Sequence, residues 1–322
     1  VRFARRAAGG LPRPFWVLWA GTLVNRLGMF VEPFLALYLS GARHLSLAEV
    51  GAVLASYGAG SVPAQPIGGA LADRIGRRAT LTAGMLANAV ALLGLGYARG
   101  FWPLIAASVL VGLTIDLYRP ATSALVADLV PAADRARAFG LIFWAVNLGF
   151  SVAMVLGGTL ARAGFTPLFW ADAVTCAVFG LLVWRAVPET LPAAETATKP
   201  SGEFSTVLRD RLLVVFLLVA LIETCVYMQA YTTLALAMSA RGLPAQAYGL
   251  TMAVNGIVIV ALQPVTGAWL ERRDHATVIA CGIGFLGVGY GLTSLAAATW
   301  EYASCVGIWT IGEILTTGTA AA

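Results

Sequence analysis

Residues 69–78 read GALADRIGRR. This stretch carries Asp73, Arg74, Arg77 and Arg78 together with Gly69 and Gly76, and it separates two apolar runs, 47–72 and 79–98. Each run is long enough to cross a bilayer, which takes about 20 mostly apolar residues at 1.5 Å rise each. The stretch therefore reads as a tight charged turn between two membrane-spanning helices. Gly76 suits a positive-φ reversal into the second of them.

The rest of the chain repeats this alternation. Ten candidate spans run over 15–39, 47–72, 79–98, 102–127, 138–161, 166–187, 211–238, 247–270, 276–298 and 301–322. Composition agrees: of 322 residues, 59% are hydrophobic and 11% charged, against about 25% charged in soluble domains. Mean hydropathy is +0.81. A lipid bilayer is the expected solvent for most of the surface, and the fold class is an all-α polytopic membrane protein. The basic first residues lead into a run too long for a signal-peptide core, so they read as a retained tail.

Lys and Arg fix the orientation. Fifteen of the 21 fall in the tail and in the gaps after spans 2, 4, 6 and 8; four, Arg43, Arg99, Arg162 and Arg241, fall on the other side. Cytoplasmic segments carry the excess, so the N-terminus is expected inside a cytoplasmic (inner) membrane. The net charge of +5 follows from this distribution, and no nucleic-acid partner is expected.

The long polar stretch 188–210 is rich in Pro, Ala, Thr and Glu and reads as a linker. It divides the chain into 1–187, a six-helix half, and 211–322, a partial half of four helices. The halves match each other at an offset of 198 residues. Arg43, Leu45, Gly51 and Gly58 fall on Arg241, Leu243, Gly249 and Gly256. Gln65, Pro66, Gly69, Asp73 and Arg74 fall on Gln263, Pro264, Gly267, Glu271 and Arg272. A parallel repeat about an axis along the membrane normal marks one transporter architecture, with the solute site between halves near the midplane.

The stretch GALADRIGRR resembles the loop 2–3 signature of the major facilitator superfamily, G-x-L-A-D-R-x-G-R-R. Within that superfamily, WAGTLVNRLGMFVEPFLALYLS (19–40), YRPATSALVADLVP (118–131) and FWAVNLG (143–149) resemble bacterial twelve-span drug/proton transporters. The resemblance implies a secondary active transporter of a small solute, proton-coupled and of the multidrug-efflux type. It also implies that Gly69, Asp73, Arg74, Gly76, Arg77 and Arg78 latch a cytoplasmic gate. Read from the residues alone, Gly69 allows a close helix approach, Asp73 can accept from a neighbouring helix N-terminus or an Arg, and the arginines anchor the loop at anionic headgroups. Two departures stand out. Residues 149–158, GFSVAMVLGG, carry Ala153-Met154 where the drug transporters carry Gly-Pro, which leaves a facilitator or a nutrient symporter open. Ten spans stand where twelve are expected, so a truncated sequence, or a nonfunctional remnant, is the expectation.

Charges inside spans are costly, about 2.5–3.5 kcal/mol each at a helix centre, and they face the interior. Arg26 and Glu32 lie in span 1, Asp116 and Arg119 in span 4, Asp172 in span 6, Glu223 in span 7 and Glu313 in span 10. Asp116 and Arg119 are three apart and share a face; a proton site tuned by Arg119 and a structural ion pair are both readings. Arg26 suits pairing with a carboxylate or contact with an anionic solute group. Glu32 and Asp172 are expected near the external interface, solvated or paired. Glu223, Tyr227 and Tyr231 form a stripe at spacing four, suited to an amphipathic cation by charge and cation–π attraction, or to simple packing. Enzyme readings lack support: neither histidine lies in a span, and there is no HExxH, G-x-S-x-G or Walker A pattern. No metal site and no cofactor are expected. The partners expected are the solute, protons and lipid, with the chain as a monomer.

Overall fold

A computed structural model describes residues 10–191, 211–270 and 273–320. Among these residues every regular element is helical. In chain order they are α1 (Arg13–Leu27), α2 (Val31–Leu37, running into a π turn at Tyr38–Ala42), α3 (Leu47–Ile75), α4 (Arg77–Tyr97), α5 (Phe101–Ile115), α6 (Arg119–Leu129) and α7 (Arg135–Leu160). There follow α8 (Thr166–Ala186), α9 (Arg211–Met228), α10 (Thr233–Ala240), α11 (Ala245–Leu270), α12 (His275–Leu292) and α13 (Thr299–Ala320). All ten expected spans are present as helices. Spans 1, 4 and 7 are each broken in two. Among the described residues seven stretches meet the length and hydropathy of a membrane span; the other three expected spans correspond to α1–α2, α3 and α13.

Two of the breaks have a local cause. Proline lacks an N–H and its ring clashes with the carbonyl four residues earlier. Pro33 thus stops a helix from running through Met29, and Pro120 stops one at Asp116. The chain leaves helical geometry at those places, between α1 and α2 and between α5 and α6. The break in span 7 contains no proline. It is held by distant tyrosines: Tyr290 Oη donates to the Tyr227 carbonyl (3.1 Å) and Tyr248 Oη to the Ala230 carbonyl (3.0 Å).

Glycines set the tightest packing. A Cβ at Gly112 of α5 would meet the Tyr57 carbonyl of α3, and one at Gly60 would meet the Val109 carbonyl. The same close approach brings α11 onto α7 at Gly249 and Gly256. Gly69 does not play this part: a Cβ there meets nothing within 4 Å, whereas its neighbour Gly68 lies against the Leu117 carbonyl. One residue is about 100° of helix rotation, enough to move the contact from one face to another. One apolar core gathers α1–α8, and a second joins α2, α7 and α8 to α10–α13.

The internal repeat is visible in a specific bond. Arg43 Nη2 donates to the Gly96 carbonyl (2.8 Å), and Arg241 Nη2 donates to the Ser294 carbonyl (2.9 Å). Donor and acceptor are both displaced by the same 198 residues. Each arginine ties the end of its half's first span to the end of the third. The calls on Glu271 and Arg272, and residues 192–210 of the expected linker, lie outside the described residues; of Gly267 only the helical backbone is described.

Candidate functional site

The breaks in spans 1 and 4 place four charges in one cluster. Arg26 ends α1, Glu32 opens α2, and Asp116 and Arg119 flank the α5–α6 break. Arg119 Nε lies 2.5 Å from Asp116 Oδ1, the expected i,i+3 pair. That oxygen has no partner of hydrogen-bond geometry, so the contact is ionic. Ser61 Oγ donates to Asp116 Oδ2 at 2.5 Å. Arg26 Nη2 donates to Tyr118 Oη (2.9 Å) and Nη1 lies 2.7 Å from Met29 Sδ. The electrostatic neighbours of Glu32 are Arg119, Arg26 and Asp116, with the Tyr57 hydroxyl in reach. Glu32 is therefore a member of this charged cluster, the paired and not the solvated form of the expectation.

Asp172 is partnered too, by backbone instead of by a charge. It is 4% exposed. Its Oδ2 accepts the backbone N–H groups of Phe30 (3.2 Å) and Val31 (3.1 Å), the amides freed at the start of α2. A carboxylate at a helix N-terminus meets both unpaired donors and the positive end of the helix dipole.

A second cluster faces the first. Tyr227 and Tyr231 hydroxyls are 3.3 Å apart, and their rings meet edge to face at 5.8 Å. Trp309 lies against Tyr227 (6.1 Å) and stacks on Tyr290 (5.2 Å). Asn255 Nδ2 donates to Glu313 Oε2 (2.7 Å) and to Thr310 Oγ1 (3.0 Å). Glu223 lies within electrostatic range of Glu313. The two clusters meet at Tyr231, whose charged neighbours are Glu32 and Arg26 on one side and Glu313 on the other. Glu32, Tyr57, Tyr227, Tyr231 and Glu313 are enclosed by protein yet only half-buried. Arg119 keeps 52% of its side-chain surface accessible amid the same neighbours. The sequence had marked most of these residues; it did not mark Tyr57, Ser61, Tyr118, Asn255, Tyr290 or Trp309. Asn255 had a signal, being an amide in the middle of an apolar span, where polar groups find partners.

The charged turn behaves differently from its expected chemistry. Gly76 adopts φ +105°, as foreseen. Asp73 is exposed, with no hydrogen bond or ion pair among the described residues. The acceptor at the N-terminus of α4 is Glu189, which takes the N–H groups of Arg77 (2.8 Å), Arg78 (3.3 Å) and Ala79 (3.2 Å). Burial raises the Glu189 carboxyl, but these backbone bonds outweigh it and hold the group below its ordinary range. Arg77 pairs with Asp128 at the end of α6, and Arg78 stacks over Trp184 at 4.7 Å. Among the described residues no cluster of His, Cys, Asp and Glu is arranged to hold a metal ion.

The two clusters thus bring charges and aromatic rings of both parts of the chain into contact through Tyr231. The chain is 23% identical over 331 residues to a Na(+), Li(+), K(+)/H(+) antiporter of Planococcus maritimus, covering 92% of this chain and 77% of the relative. It is 25% identical over 169 residues to the quinolone resistance protein NorA of Staphylococcus aureus, covering 52% of this chain and 43% of NorA. Among solved structures, the nucleoside transporter NupG (D323A mutant) superposes with TM-score 0.82 at 14% identity, covering 96% of this chain and 82% of that one. The family model described as Major Facilitator Superfamily matches residues 18–322, and the chain belongs to that superfamily of membrane transporters.

Proposed function

We propose that this transporter exports amphipathic organic cations in exchange for protons. The observation that supports this is the second cluster: two acids, Glu223 and Glu313, beside the rings of Tyr227, Tyr231, Tyr290 and Trp309. Carboxylates attract a cation, and aromatic faces bind one that carries apolar groups through its charge and its surface. In the first cluster Asp116 is ion-paired with Arg119, which offsets its charge, whereas Glu313 accepts from the neutral amide of Asn255; Asp116 therefore reads as the wall that positions and Glu313 as the wall that binds. The name of the NorA relative speaks of resistance to a drug, and that of the Planococcus relative of cation/proton antiport. The second reading, exchange of a bare alkali cation, draws on the latter name.

The proposal carries further parts. Residues 1–187 and 211–322 act as two bodies joined by 188–210, with solute between them. The N-terminus lies in the cytoplasm, and the charged turn steadies the cytoplasmic end of the pathway through Arg77 and Asp128. The chain works as a monomer.

Everted membrane vesicles provide the test. They are energised, and lumenal pH is followed with a quenched dye while ethidium or tetraphenylphosphonium is added. Proton release triggered by the cation, abolished in Glu313→Gln and weakened in Glu223→Gln, is the expected result. Protein that inserts normally and releases no protons with either cation, but does so with sodium or potassium, would move the reading to alkali-cation exchange.

A further inference from the structure

The buried carboxylate of Asp172 has no place in the solute path: it faces the backbone of span 1. We infer that Asp172 is a positioning residue of the transport cycle, clamping the break in span 1 and thereby setting where Arg26 and Glu32 stand.

Four observations carry this. First, the break separates the two charges, with Arg26 two residues before Gly28 and Glu32 two residues after Phe30. Their relative placement depends on the angle at Gly28–Phe30. Second, Asp172 Oδ2 takes both amides that open α2, Phe30 and Val31. Pro33 prevents these residues from joining a continuous helix, so proline creates the break and Asp172 holds its geometry. Third, the break is packed against the same turn of α8: a Cβ at Gly28 would meet the Thr175 side chain. Fourth, the clamp is anchored in a buried polar chain. Cys176 Sγ approaches Asp172 Oδ1 at 3.7 Å and takes the amides of Asn25 (3.2 Å) and Asn88 (3.4 Å). Thr114 Oγ1 donates to Asn88 Oδ1 at 3.0 Å. The chain thus runs from the break in span 1 to the turn that precedes the break in span 4. Asp172, Asn25, Cys176 and Asn88 are all under 9% exposed.

Solute binding that moves Glu32 must work against this clamp, and removing the clamp frees Glu32 to move relative to Arg119. The role of Glu32 in the path rests on the function proposed above. The position of Glu32 does not, and the experiment reads position directly.

The full chain, with Cys225, Cys281 and Cys305 replaced by serine, receives one added cysteine, Glu32→Cys or, as a control in the break of span 7, Gln229→Cys. Each Asp172 form without an added cysteine is labelled in parallel so that any reaction of Cys176 is subtracted. Membranes are labelled with a water-soluble maleimide, and rates are compared between Asp172, Asp172→Asn and Asp172→Ala. The expected result is a change of threefold or more at position 32 in Asp172→Ala, a smaller change in Asp172→Asn, and none at position 229. Asparagine keeps one acceptor oxygen and loses the charge, so its intermediate effect separates the clamp from general damage. Equal rates at position 32 in all three proteins would overturn the inference, and so would parallel changes at 32 and 229. Because no solute is added, a failure to transport ethidium leaves this reading untouched.

Discussion

The contact between α3 and α5 offers a sharp quantitative test. Gly112→Val adds a branched side chain where a Cβ would lie 2.9 Å from the Tyr57 carbonyl carbon and 3.1 Å from the Ser61 nitrogen. Carbon atoms rest at about 3.5–4.0 Å, so the helices must separate by roughly 0.5–1 Å. Both obstacles are backbone atoms and cannot rotate away. Overpacking of this kind costs about 1–3 kcal/mol. The displacement also carries Ser61 from Asp116, whose 2.5 Å hydrogen bond does not survive it. Misplacement by 1 Å can lower a rate by about 100-fold, so transport should fall more than stability suggests. The control is Gly94→Val on α4, where a Cβ meets nothing within 4 Å. The assay pairs thermal unfolding in detergent with vesicle transport. The Gly112 variant should melt several degrees below the Gly94 variant and lose nearly all transport. If the two melt together and transport alike, the close α3–α5 approach is not what holds this wall.

Two further expectations follow from named contacts. Asn255→Leu removes the donor that sits 2.7 Å from Glu313 Oε2; a hydrogen bond to a charged group contributes about 1.5–3 kcal/mol, so the apparent affinity for an organic cation should weaken by roughly 10- to 100-fold, read as a rise in KM with the protein still inserted. Glu189 is held below its ordinary range by backbone N–H groups despite burial, so its stabilisation is fully present above the ordinary Glu value of about 4.3 and is lost as pH falls through the lower folded value. The gap in melting temperature between the parent and Glu189→Gln should therefore be constant near neutrality and narrow steadily as pH falls below about 4.3; a gap that does not change with pH in the acid range would contradict the cap.

Much of this architecture was readable in one dimension, because lipid imposes a simple rule on length and composition. The spans depend on composition along the chain and stand where it puts them; the Asp116–Arg119 pair and the Tyr227–Tyr231 contact form at short spacing even though a helix break falls within each. The paired bonds of Arg43 and Arg241 show that the repeat reaches individual contacts. What escaped depends on which helices face each other. Asp172 could not be assigned to the amides of Phe30 and Val31 from its own span. Gly68 and Gly69 are equivalent in composition and differ only in the face they present. The acceptor for the α4 amides, Glu189, lies more than a hundred residues from them and displaced the nearer Asp73. Tyr57 and Ser61 were passed over because a single hydroxyl in a span is unremarkable until the acid opposite it is known.

In the proposed function Glu313 and Glu223 hold a cation among aromatic rings. Equilibrium binding of tritiated tetraphenylphosphonium to the purified protein is measured beside the Glu313→Gln/Glu223→Gln double variant. Saturable binding to the parent that weakens at least tenfold in the double variant, and is unchanged in Arg43→Ala, is the predicted result. Equal binding by the parent and the double variant would contradict the proposal and place the cation elsewhere.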